Sequence, residues 1–203
     1  MKRVLIADDH AVVRLGVKQI LSDTPDMLFA GEATNGQEVL DMVRNGEWDV
    51  VLLDISMPDR SGLDILKQLR FEQPELPVLV LSMYSEAQYA IRVLKSGASG
   101  YLTKDSAPDE LVRALRKVLN GGRYVSSFLA ERMAIDIGMD LQKLPHENLT
   151  DREFQVMMLI AAGHSVTKIA AQLALSPKTI LAVGEYLPSN WMGWINKATA
   201  FYW

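Results

Sequence analysis

Val50-Val51-Leu52-Leu53 runs straight into Asp54, with Pro58 four positions further on. The same layout occurs earlier, where Val4-Leu5-Ile6-Ala7 ends in Asp8-Asp9. If both apolar runs are neighbouring parallel strands, their carboxyl ends bring three carboxylates to one edge of a sheet, where open α/β sheets place their ligands. Two like charges about 4 Å apart repel by roughly 4 kcal/mol at an effective dielectric near 20, so such a cluster calls for a cation. All-oxygen ligation with open positions suits Mg²⁺, and less specifically Mn²⁺ or Ca²⁺. Two further strand ends carry chemistry: Ser82 follows Val78-Leu79-Val80-Leu81, and Lys104 follows Tyr101-Leu102-Thr103. A hydroxyl and an ammonium opposite a carboxylate-bound cation suit an anion arriving on Asp54, Lys104 as a point charge and Ser82 as a hydrogen-bond donor. The bland alternative is that Asp8 and Asp9 cap a helix starting near His10, Asp54 opens a turn, and Ser82 and Lys104 are solvated strand ends.

The elements that must hold these residues alternate. Apolar runs of the kind buried on both faces predict strands over 3–7, 27–33, 50–53, 77–81 and 100–102. Helical spacing predicts helices over roughly 11–22, 36–45, 62–72, 86–95 and 108–120, the last with Leu111, Leu115, Val118 and Leu119 on one stripe. Such alternation implies a parallel sheet with right-handed crossovers. Asn120-Gly121-Gly122 reads as a helix stop and a boundary. Residues 1–120 form one expected domain, 121–147 a linker with a helix in it, and 148–203 a second domain.

Composition bounds the function classes. The 203 residues carry 49% hydrophobic and 23% charged side chains, near the average for soluble globular chains. No apolar stretch is long enough to span a bilayer, and the N-terminus opens into a strand without a signal-peptide pattern. With no cysteine, disulfides and thiolate metal sites are excluded, which fits a cytoplasmic location. A net charge of −4 does not by itself point to nucleic acid.

Asp8-Asp9, Asp54 with Pro58 and Gly62, Ser82, and Lys104 preceded three residues earlier by Tyr101 together resemble the receiver domain of bacterial response regulators. Ala7-Asp8-Asp9-His10 followed by Arg14 is similar to the NarL/FixJ subfamily in particular. The resemblance implies a flavodoxin-like α/β fold with a five-stranded parallel sheet in the order 2-1-3-4-5. It also implies that Asp54 accepts a phosphoryl group from a sensor histidine kinase or a small phosphodonor. Mg²⁺ would be held by Asp9, Asp54 and the backbone carbonyl of Ser56, with Asp8 acting through water. Lys104 would stabilise the transferring group. Ser82 would then move towards the phosphoryl oxygen and Tyr101 would turn inward, biasing the surface of the fourth and fifth helices and last strand. Such a receiver is not an enzyme beyond its own Mg-dependent phosphorylation and dephosphorylation. Asp105 stands where many receivers outside this subfamily have proline, which leaves the local loop geometry open.

The second domain begins on Thr150-Asp151-Arg152-Glu153, a capping box in which the threonine caps the helix and the glutamate bonds back. Phe154, Met157, Met158 and Ala161 continue on one face and Gly163 stops the helix. Ser165 starts a second helix with Ile169, Ala170 and Leu173 inward, and Leu175-Ser176-Pro177 turns into a third with proline at its first position. Helix, short turn, helix is a DNA-binding geometry, although any small helical bundle shares it. Leu149 to Glu153, Gly163, Ile169-Ala170, Leu173 and Leu175 to Ile180 resemble the LuxR-type helix-turn-helix, the usual output half of NarL/FixJ regulators. Ser176, Lys178, Thr179 and Ile180 are then the expected DNA contacts, with a homodimer forming on phosphorylation.

After Ile180 the resemblance stops. Gly184 and Pro188 are poor in a helix interior. The last 23 residues carry one Lys and one Glu but six aromatics: Tyr186, Trp191, Trp194, Phe201, Tyr202 and Trp203. From residue 149 onward four Lys+Arg face three Asp+Glu, a meagre footprint for phosphate contacts. The tail is a frame-shifted or rearranged gene end, a divergence in which the aromatics pack on the bundle or a partner, or an artefact of cloning. DNA binding weaker than in the relatives is expected. The rival function is a phosphorylation-gated protein-binding or phosphate-sink module. A metal-dependent phosphohydrolase is the third class, disfavoured because Ser56 stands where such enzymes place a second catalytic acid.

Overall fold

The computed structural model describes residues 1–58, 60–131, 149–173 and 175–186. The chain divides into two compact units, Met1–Leu141 and Gln142–Trp203. Among the described residues of the first, five strands alternate with five helices before a further helical turn. The strands are β1 (Lys2–Ala7), β2 (Met27–Ala33), β3 (Val50–Asp54), β4 (Val78–Ser82) and β5 (Gly100–Thr103). The helices are α1 (Ala11–Ser22), α2 (Gly36–Asn45), α3 (Gly62–Glu72), α4 (Glu86–Lys95) and α5 (Ala107–Leu119). All strand pairs are parallel and the order is β2-β1-β3-β4-β5, as the resemblance implied. Helices α1 to α4 coincide with the sequence reading. Strand β4 starts one residue later than expected and takes in Ser82, and α5 starts at Ala107 rather than Pro108.

The period-2 alternation of a strand sorts its side chains between two buried faces. Val4, Ile6, Val50, Leu52, Leu79, Leu81 and Leu102 share one core with Val17 and Leu21 of α1 and Leu111, Leu115 and Val118 of α5. Leu5, Val51, Leu53, Val80 and Tyr101, of opposite parity, are buried just as fully on the other face. With both faces covered, the only sheet positions open to chemistry are the strand ends. Ala7 pairs with Leu53, Asp54 with Leu81 and Ser82 with Thr103, so the carboxyl ends of β1, β3, β4 and β5 lie level.

Gly121, with φ of 78°, closes α5 as a left-handed stop. The segment read from sequence as a linker then folds back onto the sheet. Tyr124 donates its backbone N–H to the Ser99 carbonyl and accepts from the Tyr101 N–H, next to the edge strand. A further helix begins at Ser127 and is described over 127–131 (α6), with Leu129 buried. The rest of the expected linker, 132–147, lies outside the described residues.

In the second unit α7 (Asp151–Ala161), α8 (Val166–Gln172) and α9 (Pro177–Tyr186) pack on one another. Thr150 accepts from the Glu153 N–H and Glu153 bonds back to Thr150, the reciprocal cap that the sequence announces. Gly163 takes φ of 77° and ends α7. Contrary to the reading of Gly184 as a helix breaker, α9 continues through it to Tyr186. A glycine costs only about 1 kcal/mol against alanine, less than the two turns already nucleated behind it can absorb. The aromatic residues beyond Tyr186 lie outside the described residues. None of the described helices is long and apolar enough to cross a membrane.

Candidate functional site

The level strand ends assemble the polar cluster. Asp54 is the last residue of β3 and only 1% exposed. Its Oδ1 accepts from the Ser56 backbone N–H at 2.9 Å, and its Oδ2 lies 2.7 Å from Lys104 Nζ. The same ammonium stands 2.7 Å from Asp8 Oδ2. One buried cation thus clamps two buried carboxylates at the ends of the neighbouring strands β1 and β3. The Lys104 backbone N–H donates to the Ser82 carbonyl at 2.8 Å, which fixes where the lysine leaves β5.

Burial pushes the Asp54 carboxyl above its ordinary range. Lys104 pulls it back and the neighbouring Asp8 charge pushes it up again. Burial works against the Lys104 ammonium, but the two carboxylates outweigh it and hold the lysine above its ordinary value. The pair therefore sets a carboxyl group and an ammonium side by side in a poorly solvated pocket.

Gly62 makes room for the end of β3. A Cβ there would stand 2.5 Å from Ile55 Cα and 2.6 Å from the Asp54 carbonyl oxygen, so α3 packs this closely under the end of β3 only with glycine at its start. Its N–H donates to the Ile55 carbonyl at 3.1 Å.

Asp8, 1% exposed, is held from three directions. Its Oδ1 accepts the His10 backbone N–H at 2.8 Å, its N–H donates to Ala33, and its carbonyl accepts from Arg14 Nη1 at 2.9 Å. Arg14 is steadied by Glu32 of β2 at 2.8 Å, which also pairs with Lys18. Asp9 is more open, and its Oδ1 lies 2.7 Å from His10 Nδ1. Asp8, Asp9, His10 and Asp54 each offer a donor atom within 4.8 Å of the others. Three carboxylates so close form a donor set that fits a hard divalent cation.

Ser82 and Tyr101 occupy the next positions along the edge. Ser82 is fully buried and its Oγ accepts the Tyr84 N–H at 3.1 Å. Tyr101 was expected to turn inward on phosphorylation. Here it is already inward and fully buried, its hydroxyl donating to the Tyr84 carbonyl at 2.6 Å. Burial raises its phenol well above the usual value, so it remains a hydrogen-bond donor throughout the physiological range.

Sequence reasoning brought Asp8, Asp9, Asp54, Ser82 and Lys104 to one edge, and the structure places all five there. It missed the role of His10 against both carboxylates and of Arg14 behind Asp8. The available signal was the i+1 and i+5 spacing from Asp9, which puts both at the start of α1.

In the second unit Ser176, Lys178 and Thr179 are exposed at the start of α9, and Ser176 Oγ accepts the Thr179 N–H at 3.1 Å as a helix cap. Ile180, also expected among the DNA contacts, is instead 1% exposed. One further residue rotates the helix by a quarter turn and carries position 180 into the core of the three-helix unit. Arg152 is likewise drawn inward, donating to Gln155 at 2.8 Å and to the Leu173 carbonyl at the end of α8.

Comparison with known proteins agrees with both units. Residues 4–116 match the response regulator receiver domain, and residues 147–182 match the luxR family of bacterial regulatory proteins. The response regulator UvrY of Escherichia coli K12 is 38% identical over 89% of this chain and 83% of its own length. GacA of Pseudomonas aeruginosa is 36% identical over 89% of this chain and 85% of its own. The structure of RcsB from Salmonella enterica serovar Typhimurium, bound to promoter rprA in the presence of phosphomimetic BeF3−, superposes with a TM-score of 0.64. It is 29% identical and covers 90% of this chain and 88% of that one. The chain belongs to the NarL/FixJ family of response regulators, which join a receiver to a LuxR-type DNA-binding domain.

Proposed function

We propose that Asp54 is the phosphoacceptor of a two-component system, phosphorylated by a sensor histidine kinase in the cytoplasm, and that this modification controls DNA binding and transcription. The observation that supports it is the Asp8–Lys104–Asp54 clamp, both ion-pair distances 2.7 Å, at the level strand ends. An Asp54 carboxylate oxygen attacks phosphorus, the bond to the donor's imidazole or acetate oxygen breaks, and the leaving group takes the electron pair. Lys104 holds its positive charge where the phosphoryl oxygens arrive, which is catalysis by positioning and electrostatics. Mg²⁺ would be held by Asp9, Asp54 and the Ser56 carbonyl, with Asp8 through water. When bound, it supplies the positive charge that lets a carboxylate cluster accept a dianionic group. Ser82 reorganises its bond to Tyr84 to meet the new oxygen, and Tyr101, already on the Tyr84 carbonyl, follows the same loop.

On the output side, Ser176, Lys178 and Thr179 contact DNA phosphates from the start of α9, in a homodimer formed on phosphorylation. A second reading has a specific basis: the luxR match ends at residue 182 and the domain is poor in basic residues. In it the protein is a phosphorylation-gated protein-binding or phosphate-sink module with impaired DNA output.

Intact-mass measurement after acetyl phosphate and Mg²⁺ tests the first step: one phosphoryl group per wild-type chain and none on Asp54→Asn. A variant Asp54→Asn that still takes the group overturns the assignment. Titration of promoter-derived and random duplexes at several salt concentrations separates the outputs. Binding that prefers one duplex and tightens with phosphodonor supports transcriptional control. Weak binding, equal for all duplexes and lost as salt rises, supports the second reading.

A further inference from the structure

Beyond α5 the chain turns back over the receiver, and residues 123–131 lie along it as a strap. Gly100 lets the strap approach: a Cβ there would stand 2.8 Å from both the carbonyl oxygen and the Cβ of Tyr124. The Tyr124 N–H donates to the Ser99 carbonyl at 2.8 Å. Its hydroxyl donates to Glu110 of α5 at 2.6 Å and accepts from Arg113 Nη2 at 3.2 Å. Two residues further on, Ser126 donates its hydroxyl to the Glu86 carboxylate in the first turn of α4. The same Oγ accepts the Leu129 N–H at 3.1 Å, so Ser126 both caps α6 and ties it to α4.

Glu86 stands two residues after Tyr84, and Tyr84 is where Ser82 and Tyr101 meet. The Tyr84 N–H donates to Ser82 Oγ at 3.1 Å, and its carbonyl accepts from the Tyr101 hydroxyl at 2.6 Å. Its ring stacks on Tyr89 of α4 with centroids 4.5 Å apart. Ser85, the N-cap of α4, makes no side-chain capping bond, so a shift of the first turn breaks no cap. A displacement of Ser82 Oγ towards a group on Asp54 therefore moves the Tyr84 backbone. Glu86 moves with it, relative to a strap that Tyr124 holds on β5 and α5.

We propose that Ser126 and Glu86 form a latch that opens on phosphorylation of Asp54. Residues 125–131 are freed while Tyr124 remains the hinge, and this release passes the signal along the chain towards the second unit. The inference rests on the reading of Asp54 as phosphoacceptor and adds the contact through which the linker senses the modification. A hydrogen bond to a carboxylate is among the stronger ones. Here it is one bond between two half-buried residues, enough to hold a segment and little enough for one displaced loop to break.

The test is hydrogen–deuterium exchange of the full chain, read by mass spectrometry with and without acetyl phosphate and Mg²⁺, the intact mass of each sample being taken alongside. Ser126→Asp keeps a cap for α6 and sets a second carboxylate against Glu86, whereas Ser126→Asn keeps the cap and a donor to Glu86. In wild type, exchange over 125–131 should quicken about tenfold on phosphorylation, the factor that one hydrogen bond to a charged group sets, while α1 and α2 keep their rates. Ser126→Asp should exchange fast without phosphodonor and gain little more with it, and Ser126→Asn should follow wild type. Unchanged strap exchange in a phosphorylated chain, a rise spread equally over the receiver, or wild-type rates in Ser126→Asp overturns the proposal alone. A wild-type chain that takes up no phosphoryl group overturns the phosphoacceptor reading, and with it the trigger of the latch.

Discussion

Replacing Lys104 by methionine keeps the length of the side chain and removes the only charge between Asp8 and Asp54 among the described residues. Each carboxylate oxygen is 2.7 Å from Nζ, so the two oxygens are no more than about 5.4 Å apart. At an effective dielectric near 20, two charges at that distance repel by about 3 kcal/mol. The side chains of Lys104, Asp8 and Asp54 are 6%, 2% and 0% exposed, so solvent screens little of this. A deficit of about 3 kcal/mol also agrees with the usual cost of removing one partner from a buried ion pair. With a urea dependence of roughly 1–3 kcal/mol per molar, the receiver midpoint should fall by about 1–3 M at neutral pH in far-ultraviolet circular dichroism. Two companions check the cause. In an Asp54→Asn background the same substitution should cost far less, since only one carboxylate remains. Saturating Mg²⁺ should return much of the loss, because a cation that binds only the folded state restores the missing charge. The sign with pH follows: without Lys104 the folded carboxyl is raised still further above its unfolded value. Its cost is therefore full above the folded pKa, declines as pH falls below it, and is gone below the unfolded pKa. An unchanged midpoint, or the same deficit in the Asp54→Asn background, would refute the electrostatic account of the clamp.

Gly62→Ala should lower receiver stability by about 1–3 kcal/mol and slow phosphoryl acceptance, because the new methyl meets backbone at Ile55 and Asp54 rather than a movable side chain; thermal melts and initial rates read both. Thr150→Ala removes one half of a reciprocal cap and should cost the second unit about 0.5–2 kcal/mol, with Thr150→Ser retaining most of it in the same melts. Since burial and Asp8 hold the Asp54 carboxyl above its ordinary value, phosphorylation by a small donor should begin to fail on acidification before a free aspartate would protonate. A rate flat down to the ordinary aspartate range would contradict that. Lys178→Gln should weaken binding to all duplexes about equally and reduce the slope of log affinity against log salt by about 1, whereas Ile180→Ala should act through stability of the helical unit.

The alternation of elements was legible because it is written in local periodicity. Strands buried on both faces read as continuous apolar runs, and helices α1 to α4 begin and end at the positions that spacing and stop residues mark. Asp54, Asp8 and Lys104 were legible for a related reason. Each follows at the end of a strand run, so a parallel sheet has nowhere to put it except the shared edge. The Thr150 cap was legible because its partners are three residues apart.

What tertiary structure decided depends on contacts between residues distant in the chain or on the phase of a helix against its neighbours. That Lys104 bridges Asp8 and Asp54 depends on three strand ends being level. That the presumed linker docks along β5 through Tyr124 depends on an edge strand left unpaired, which no local pattern around Tyr124 announces. His10 and Arg14 gained their roles from where α1 starts relative to β2 and β1. Ile180 shows the limit most plainly. Sequence marks the start of a helix that carries Ser176, Lys178 and Thr179 outward, but at 100° per residue the next position belongs to the core, and only packing against α7 and α8 sets that phase. Local chemistry determined which groups the molecule has to work with; the long-range packing that buries them determined which of those groups meet.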